Sequence, residues 1–220
     1  ARYVEEMRNF IQKKWKRGIT AFELKTAIAF RYFLDMKVDF AVLEVGIGCR
    51  LDCTNVVLPE LAVLCRVEKE HVDILGDTLE KIVREKLGIW KPEVPLLVGE
   101  QSREAERIIR KQLKGRAPVY YAGDFPDFPN LGKFDNPARA HNVRLAACAL
   151  RLLLGRVDQK LLRAVSRNLK LPGRFEIRKI GKKMVVFDMA HTEASIKNLL
   201  IALNRNFPGE RGKNRKRFIF

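Results

Sequence analysis

Lys86 stands where a lysine is out of place. With Leu79, Ile82 and Val83 it follows the i, i+3, i+4, i+7 spacing of one helix face, so its amine lies on the stripe that must meet a core. Such a lysine either lays its stem along apolar surface and reaches water with its tip, or has its neutral form favoured by desolvation. A neutral amine reacts with carbon dioxide, and the resulting carbamate would turn a cation into a carboxylate-like metal ligand. Glu44 closes the apolar run Phe40-Ala41-Val42-Leu43, and a carboxylate among such neighbours needs a partner: a hard cation or an internal salt bridge. His71, in the charged stretch Arg66 to Asp73, could bind a metal or position a phosphate, or simply face water. Asp188 and His191 follow a second apolar run, Val185-Val186-Phe187. Asp188 there could accept from a ribose hydroxyl or a backbone amide, or merely fix the turn ahead of Thr192.

These residues recur just past short apolar runs, and in open α/β sheets ligands collect at the carboxyl ends of strands. The pattern predicts a helix over Phe22 to Met36, a buried strand over Val38 to Val45 and a second strand over Leu61 to Cys65. A helix capped by Asp77-Thr78 runs to Leu87, and a third strand spans Pro95 to Val98. Residues 115 to 137 hold four prolines and read as a long irregular excursion. Helices follow from Asn142 to Leu154 and from Gln159 to Asn168, then a strand from Met184 to Phe187, a Thr192-capped helix to Leu203, and a last strand opening at Phe218-Ile219-Phe220. Alternating strands and helices predict the α/β class, with a mostly parallel sheet flanked by helices. Pro172-Gly173 marks the expected boundary between a domain over 1–172 and the beginning of another over 173–220.

With 43 Lys+Arg against 26 Asp+Glu the net charge is +17, which favours polyanionic partners without choosing among them. No helix-turn-helix or zinc-finger spacing accompanies the basic tail, so nucleic acid is not the expected partner. No apolar stretch approaches the roughly 20 residues of a membrane helix. The chain starts at Ala1 with no export signal, which points to a segment of a cytoplasmic protein. The C-x3-C pair Cys49 and Cys53, even with Cys65 and His141, is too loose for zinc, and the four cysteines read as free thiols. Gly46-Ile47-Gly48 lacks the third glycine of a dinucleotide fingerprint, and no G-x-x-x-x-G-K-[ST] phosphate loop occurs.

Several of these segments resemble, in order, motifs of the folylpolyglutamate synthase/dihydrofolate synthase family of the Mur ligase superfamily. Leu43 to Val57 is similar to its LEVGLGGRLDATNVV, and His71 to Leu79 to its DHTDILGDTL. Glu85 to Pro92 is similar to EKAGIIKP, Pro172 to Glu176 to PGRFE, and Phe187 to Thr192 to LDGAHN. The resemblance implies a Mur ligase-like central domain, here partial, and the start of a Rossmann-like second domain. It implies an ATP-dependent ligase that joins L-glutamate to the carboxylate of folate or dihydropteroate through an acyl phosphate, acting as a monomer. Glu44 and His71 would hold magnesium, and Lys86 would be the carbamylated lysine. Asn142, Arg174 and Asp188 would contact ATP, and His191 would lie where ATP and glutamate meet.

The sequence also departs from that pattern. Cys49 and Cys53 replace Gly and Ala, Arg66 to Glu70 replaces NIGLD, and Met189 and Thr192 replace Gly and Asn. Without the phosphate loop, the 220-residue chain alone is expected to show weak or no turnover. Two other readings stay open at this stage: a Mur-type peptidoglycan amino-acid ligase, and a non-catalytic basic nucleic-acid-binding remnant.

Overall fold

Five of the helices start where a side chain takes up a free backbone N–H. In the computed structural model, which describes residues 2–14, 18–116, 118–125, 137–169, 171–181 and 183–208, Thr20 and Glu23 form a reciprocal capping box. It opens α2 (Ala21–Met36), which packs on the preceding α1 (Arg2–Lys14). Strand β1 (Ala62–Leu64) leads through the single turn α3 (Val72–Leu75) into α4 (Leu79–Leu87), capped by Thr78 as predicted. β2 (Leu96–Val98) and β3 (Val119–Tyr121) flank α5 (Arg103–Gln112), whose cap is Ser102. Then come α6 (Pro137–Leu154) and α7 (Gln159–Asn168), the latter capped by Asp158. The hairpin of β4 (Glu176–Ile180) and β5 (Lys183–Phe187) precedes α8 (Glu193–Asn206), capped by Thr192.

The sheet is parallel in the order β1-β2-β3, with Leu64 paired to Val98 and Val98 to Tyr121. Its central strand explains the layering. Leu96 and Val98 join Ala62, Leu64, Ile82, Val83 and Ile109 on the face covered by α4 and α5. Leu97 points the other way, onto Val143, Ala147 and Cys148 of α6. All three β2 residues are fully buried, as a strand sandwiched between helices must be. The α4 stripe is confirmed: Leu79, Ile82 and Val83 are buried.

Several expectations need correction. Residues 38–45 form no buried strand; they carry no strand pairing, and Val42 is 95% exposed. An apolar run becomes a strand only when a ladder partner takes its N–H and C=O groups, and none of the described residues does so. α6 begins five residues before Asn142, so Asn142 lies inside the helix. The second part holds an antiparallel hairpin, whose first strand was not anticipated, and α1, α5 and β3 were not anticipated either. Most of the Pro-rich excursion (126–136) and the expected strand at 218–220 lie outside the described residues.

Candidate active site

The carboxyl ends of β1 and β2 are joined by one side chain. Gln101 Oε1 accepts from Val67 N–H at 2.9 Å, while its Nε2 donates to Cys65 O at 2.9 Å and Gly99 O at 3.1 Å. Beside this seam Lys86 Nζ meets Glu70 Oε1 at 2.8 Å, with the two side chains only 18% and 29% exposed. Lys86 therefore neither snorkels to open water nor stands as an unpaired amine: it is an ammonium held by a carboxylate. Glu44 comes near enough to raise the pKa of Cys65, whose thiol burial pushes up first and Lys86 pulls back. Glu44 is itself exposed, so the expectation that burial forces a partner on it is corrected.

His71 adjoins Glu70 and is also exposed. It caps α3 with backbone φ 48°, a left-handed conformation sparsely used by non-glycine residues, and its side chain makes no capping bond. Its carbonyl accepts from Ile74 and Leu75 N–H at 2.9 Å, so the imidazole is presented by a tight turn.

The loop between Glu44 and the end of α4 is folded around Asp52. Asp52 Oδ2 accepts from Gly46 N–H at 3.0 Å and Ile47 N–H at 3.2 Å, and Oδ1 from the Thr54 N–H and hydroxyl at 2.9 and 2.5 Å. Burial alone would raise this carboxyl, but those donors outweigh it and hold it below the ordinary carboxylate range. Arg50 then ties the loop to α4, its Nε donating to Glu85 Oε1 at 3.1 Å. Asn55 Nδ2 donates to Gly88 O at 2.9 Å.

Within this loop burial pushes the Cys49 thiol up to about 11, against a smaller lowering by Lys86. Since the thiolate is the nucleophile and a raised pKa means less of it at every pH below 11, native Cys49 should resist iodoacetamide at pH 8. Mapping the alkylated cysteines by mass spectrometry checks this; fast labelling of Cys49 in the folded chain would contradict it. All four cysteines are free thiols, as expected.

A second group sits at the end of β2. Glu100 Oε2 lies 2.6 Å from His141 Nδ1, and Glu100 Oε1 accepts from Arg144 Nη1 at 3.2 Å. Arg144 Nη2 reaches Ala122 O at 3.3 Å, so the first turns of α6 are anchored over the ends of β2 and β3. Asn142, exposed, lies between these anchors.

The third group is at the hairpin. Asp188 Oδ2 accepts from Phe175 N–H at 2.7 Å and Oδ1 from Ala190 N–H at 2.8 Å. Met189 N–H donates to Gly173 O at 2.9 Å, which brings exposed Arg174 beside the start of β4. The turn-fixing role of Asp188 is thus real. A carboxylate has about four acceptor positions, so it does not exclude a ligand hydroxyl. His191 is exposed, with Nδ1 2.9 Å from Met189 O.

Sequence reasoning missed Glu70, Asp52, Gln101 and Glu100. Asp52 precedes Thr54 as an Asx turn would, a signal that was available. The Glu70 to Lys86 and Glu100 to Arg144 pairs join distant positions and carry no spacing signature.

Among the described residues no three His, Cys, Asp or Glu side chains cluster to hold a metal ion. The donor chemistry of Glu44 nevertheless fits a magnesium ion, which keeps several waters and ligand phosphates and takes only one or two carboxylates from protein. Lys86 as an ammonium does not fit as a ligand. No helix of the described residues is long and apolar enough to cross a membrane.

No protein-family model matches the chain. The chain is 30% identical over 220 aligned residues to the dihydrofolate synthase/folylpolyglutamate synthase of Bacillus subtilis, covering 87% of this chain and 51% of that protein. The folylpolyglutamate synthase of Thermotoga maritima superposes with a TM-score of 0.74 at 30% identity, over 92% of this chain and 52% of that one. The Mycobacterium tuberculosis folylpolyglutamate synthase, solved with ADP and AMPPCP, gives 0.77 at 26% identity, over 92% and 53%. The chain spans about half the length of the curated relatives it matches. With the motifs in order, a parallel sheet between helices and these likenesses across most of its length, the chain belongs to the folylpolyglutamate synthase/dihydrofolate synthase family.

Proposed function

We propose that the protein containing this chain is an ATP-dependent ligase that joins L-glutamate to the carboxylate of folate, dihydropteroate or both. The observation that carries this reading is the 30% identity to a dihydrofolate synthase/folylpolyglutamate synthase across 87% of the chain. Residues 1–172 are then part of the ATP-binding central domain and 173–220 the beginning of the next, in a monomeric cytoplasmic enzyme.

In this reading Glu44 and His71 hold magnesium, which neutralises charge on the transferring phosphoryl group. Asn142, on a helix turn braced by Glu100, and Arg174 and Asp188, at the hairpin, contact ATP. His191 lies where nucleotide and glutamate meet. The Lys86 ammonium offers positive charge at the end of β1, where a developing acyl phosphate would be stabilised. Carbamylation of Lys86 requires the pair with Glu70 to open first, since that carboxylate occupies the amine.

The test is phosphate release by the full-length protein with ATP, L-glutamate and either folate or dihydropteroate. Turnover should depend on all three substrates and fall by about a hundredfold or more in Glu44→Ala. ATP hydrolysis indifferent to both pterin acceptors would overturn the substrate assignment. The isolated 220-residue chain should show weak or no turnover, and strong ATP- and glutamate-dependent phosphate release by it alone, abolished by Glu44→Ala, would overturn that expectation.

A further inference from the structure

A cavity of about 430 Å³ opens between the last turns of α4 and α5. α5 starts immediately past the carboxyl end of β2, so its final residues stand at the amino ends of the strands, where Pro118 O accepts from Leu96 N–H at 3.0 Å. The cavity therefore opens away from the groups around Asn142 and Asp188, and its Gly88 wall backs onto the 46–55 loop through Asn55. Its floor is Leu87, Gly88 and Leu113, and its polar rim carries three cations, Arg84, Lys111 and Arg116, against one carboxylate, Glu80.

Lys81, Lys86 and Arg110 on α4 and α5 each have a carboxylate within 2.8 Å. Arg84, Lys111 and Arg116 have no carboxylate partner among the described residues. Three like charges around one concavity repel one another, and a ligand that brings negative charge removes the repulsion. The site is also partly preformed. Trp90 Nε1 donates to Val94 O at 2.8 Å, which fixes the indole, and the Arg116 guanidinium lies 5.4 Å from the ring centroid. A cation held over an aromatic face keeps its N–H edges for an anion. Arg116 N–H donates to Leu113 O at 3.0 Å, which sets that residue at the cavity rim.

We propose that this cavity binds a compact oligoanion, a ligand presenting clustered phosphate or carboxylate oxygens to Arg84, Lys111 and Arg116. The proposal does not depend on the ligase reading. Trp90 supplies the readout. In a Trp15→Phe background it is the remaining tryptophan of the two in the sequence. Its emission is titrated with inorganic tripolyphosphate and, in a second arm, with triglutamate, at near-physiological ionic strength. The expected result is one saturable site that Arg84→Ala/Arg116→Ala weakens about tenfold, the size expected from two exposed charge contacts. Removal of two cations elsewhere, Lys160→Ala/Arg163→Ala on α7, should leave it unchanged. Preference for one probe assigns the phosphate or the carboxylate source. Absence of saturable binding of either probe, by Trp90 emission and by calorimetry, would overturn the proposal. So would equal weakening by the α7 variant, which would mark the binding as general attraction to a basic chain.

Discussion

Gly88→Ala is expected to destabilise the chain by about 3 kcal/mol, lowering its thermal midpoint by roughly 6–12 °C. A Cβ at Gly88 would lie 2.4 Å from Arg50 Cβ and 2.7 Å from Arg50 Cα. The second of these is backbone and cannot rotate away. Gly88 has φ −62° and ψ −8°, ordinary helical values, so its glycine is required by space and not by conformation. Reduced freedom of the unfolded chain returns only about 0.4–1 kcal/mol on Gly→Ala, so the clash wins. The damage should reach the candidate active site. Gly88 O accepts from Asn55, and Arg50 is held to Glu85, so pushing the 46–55 loop off α4 separates Glu44 from the helix that bears Lys86. Gly123→Ala is the control, since a Cβ there meets nothing within 4 Å. Scanning calorimetry of the two variants decides the matter: a Gly88→Ala midpoint equal to that of Gly123→Ala would show that the loop yields without cost.

The second large effect is expected at Asp188. Asp188→Ala leaves the Phe175 and Ala190 N–H groups without their acceptor, both at half-buried residues, and should cost about 2 kcal/mol. Phe175 makes the demand sharper: its φ of 50° is a left-handed conformation that a bulky residue adopts only when surroundings impose it, and the Asp188 carboxylate is one such constraint. Asp188→Asn keeps one acceptor oxygen but turns an NH2 toward the other donor, so its cost should lie between those of wild type and Asp188→Ala. Denaturant unfolding gives the ranking, and amide exchange at Phe175 and Ala190 locates it. Unchanged exchange at both amides in Asp188→Ala would sink this account of the turn. Any loss of nucleotide affinity in Asp188→Ala is then read against Asp188→Asn. If the carboxylate acts only by fixing the turn, affinity should follow the exchange rates.

Much of the fold could be read along the chain because the forces involved are local. Thr20, Thr78 and Thr192 each accept from an N–H three residues on, so their caps are visible as residue types at short spacing. The apolar runs of β1 and β2 and the stripe of α4 are likewise patterns of period and burial. α5 escaped notice although it has the same grammar, Ser102 as cap and Ala105, Ile108 and Ile109 as its buried face. β4 escaped for a different reason: its residues alternate poorly and are mostly exposed, so the hairpin rests on pairing with β5.

The candidate site divides the same way. Residue types and order determined which side chains could bind metal, phosphate and ribose, and the motifs around them were long enough to point to a family. The tertiary structure decided what those side chains face. It placed Glu70, 16 positions away, against Lys86, and so made an ammonium ion pair of a lysine that spacing alone left between two fates. It left Glu44 exposed, because residues 38–45 have no ladder partner among the described residues. It put Glu100 between His141 and Arg144, and filled both Asp188 oxygens with backbone donors. Caps and amphipathic stripes depend on neighbours one turn away, which the sequence carries explicitly. Ion pairs between distant segments and strand pairing depend on which segments the packed core brings together, and no local spacing encodes that.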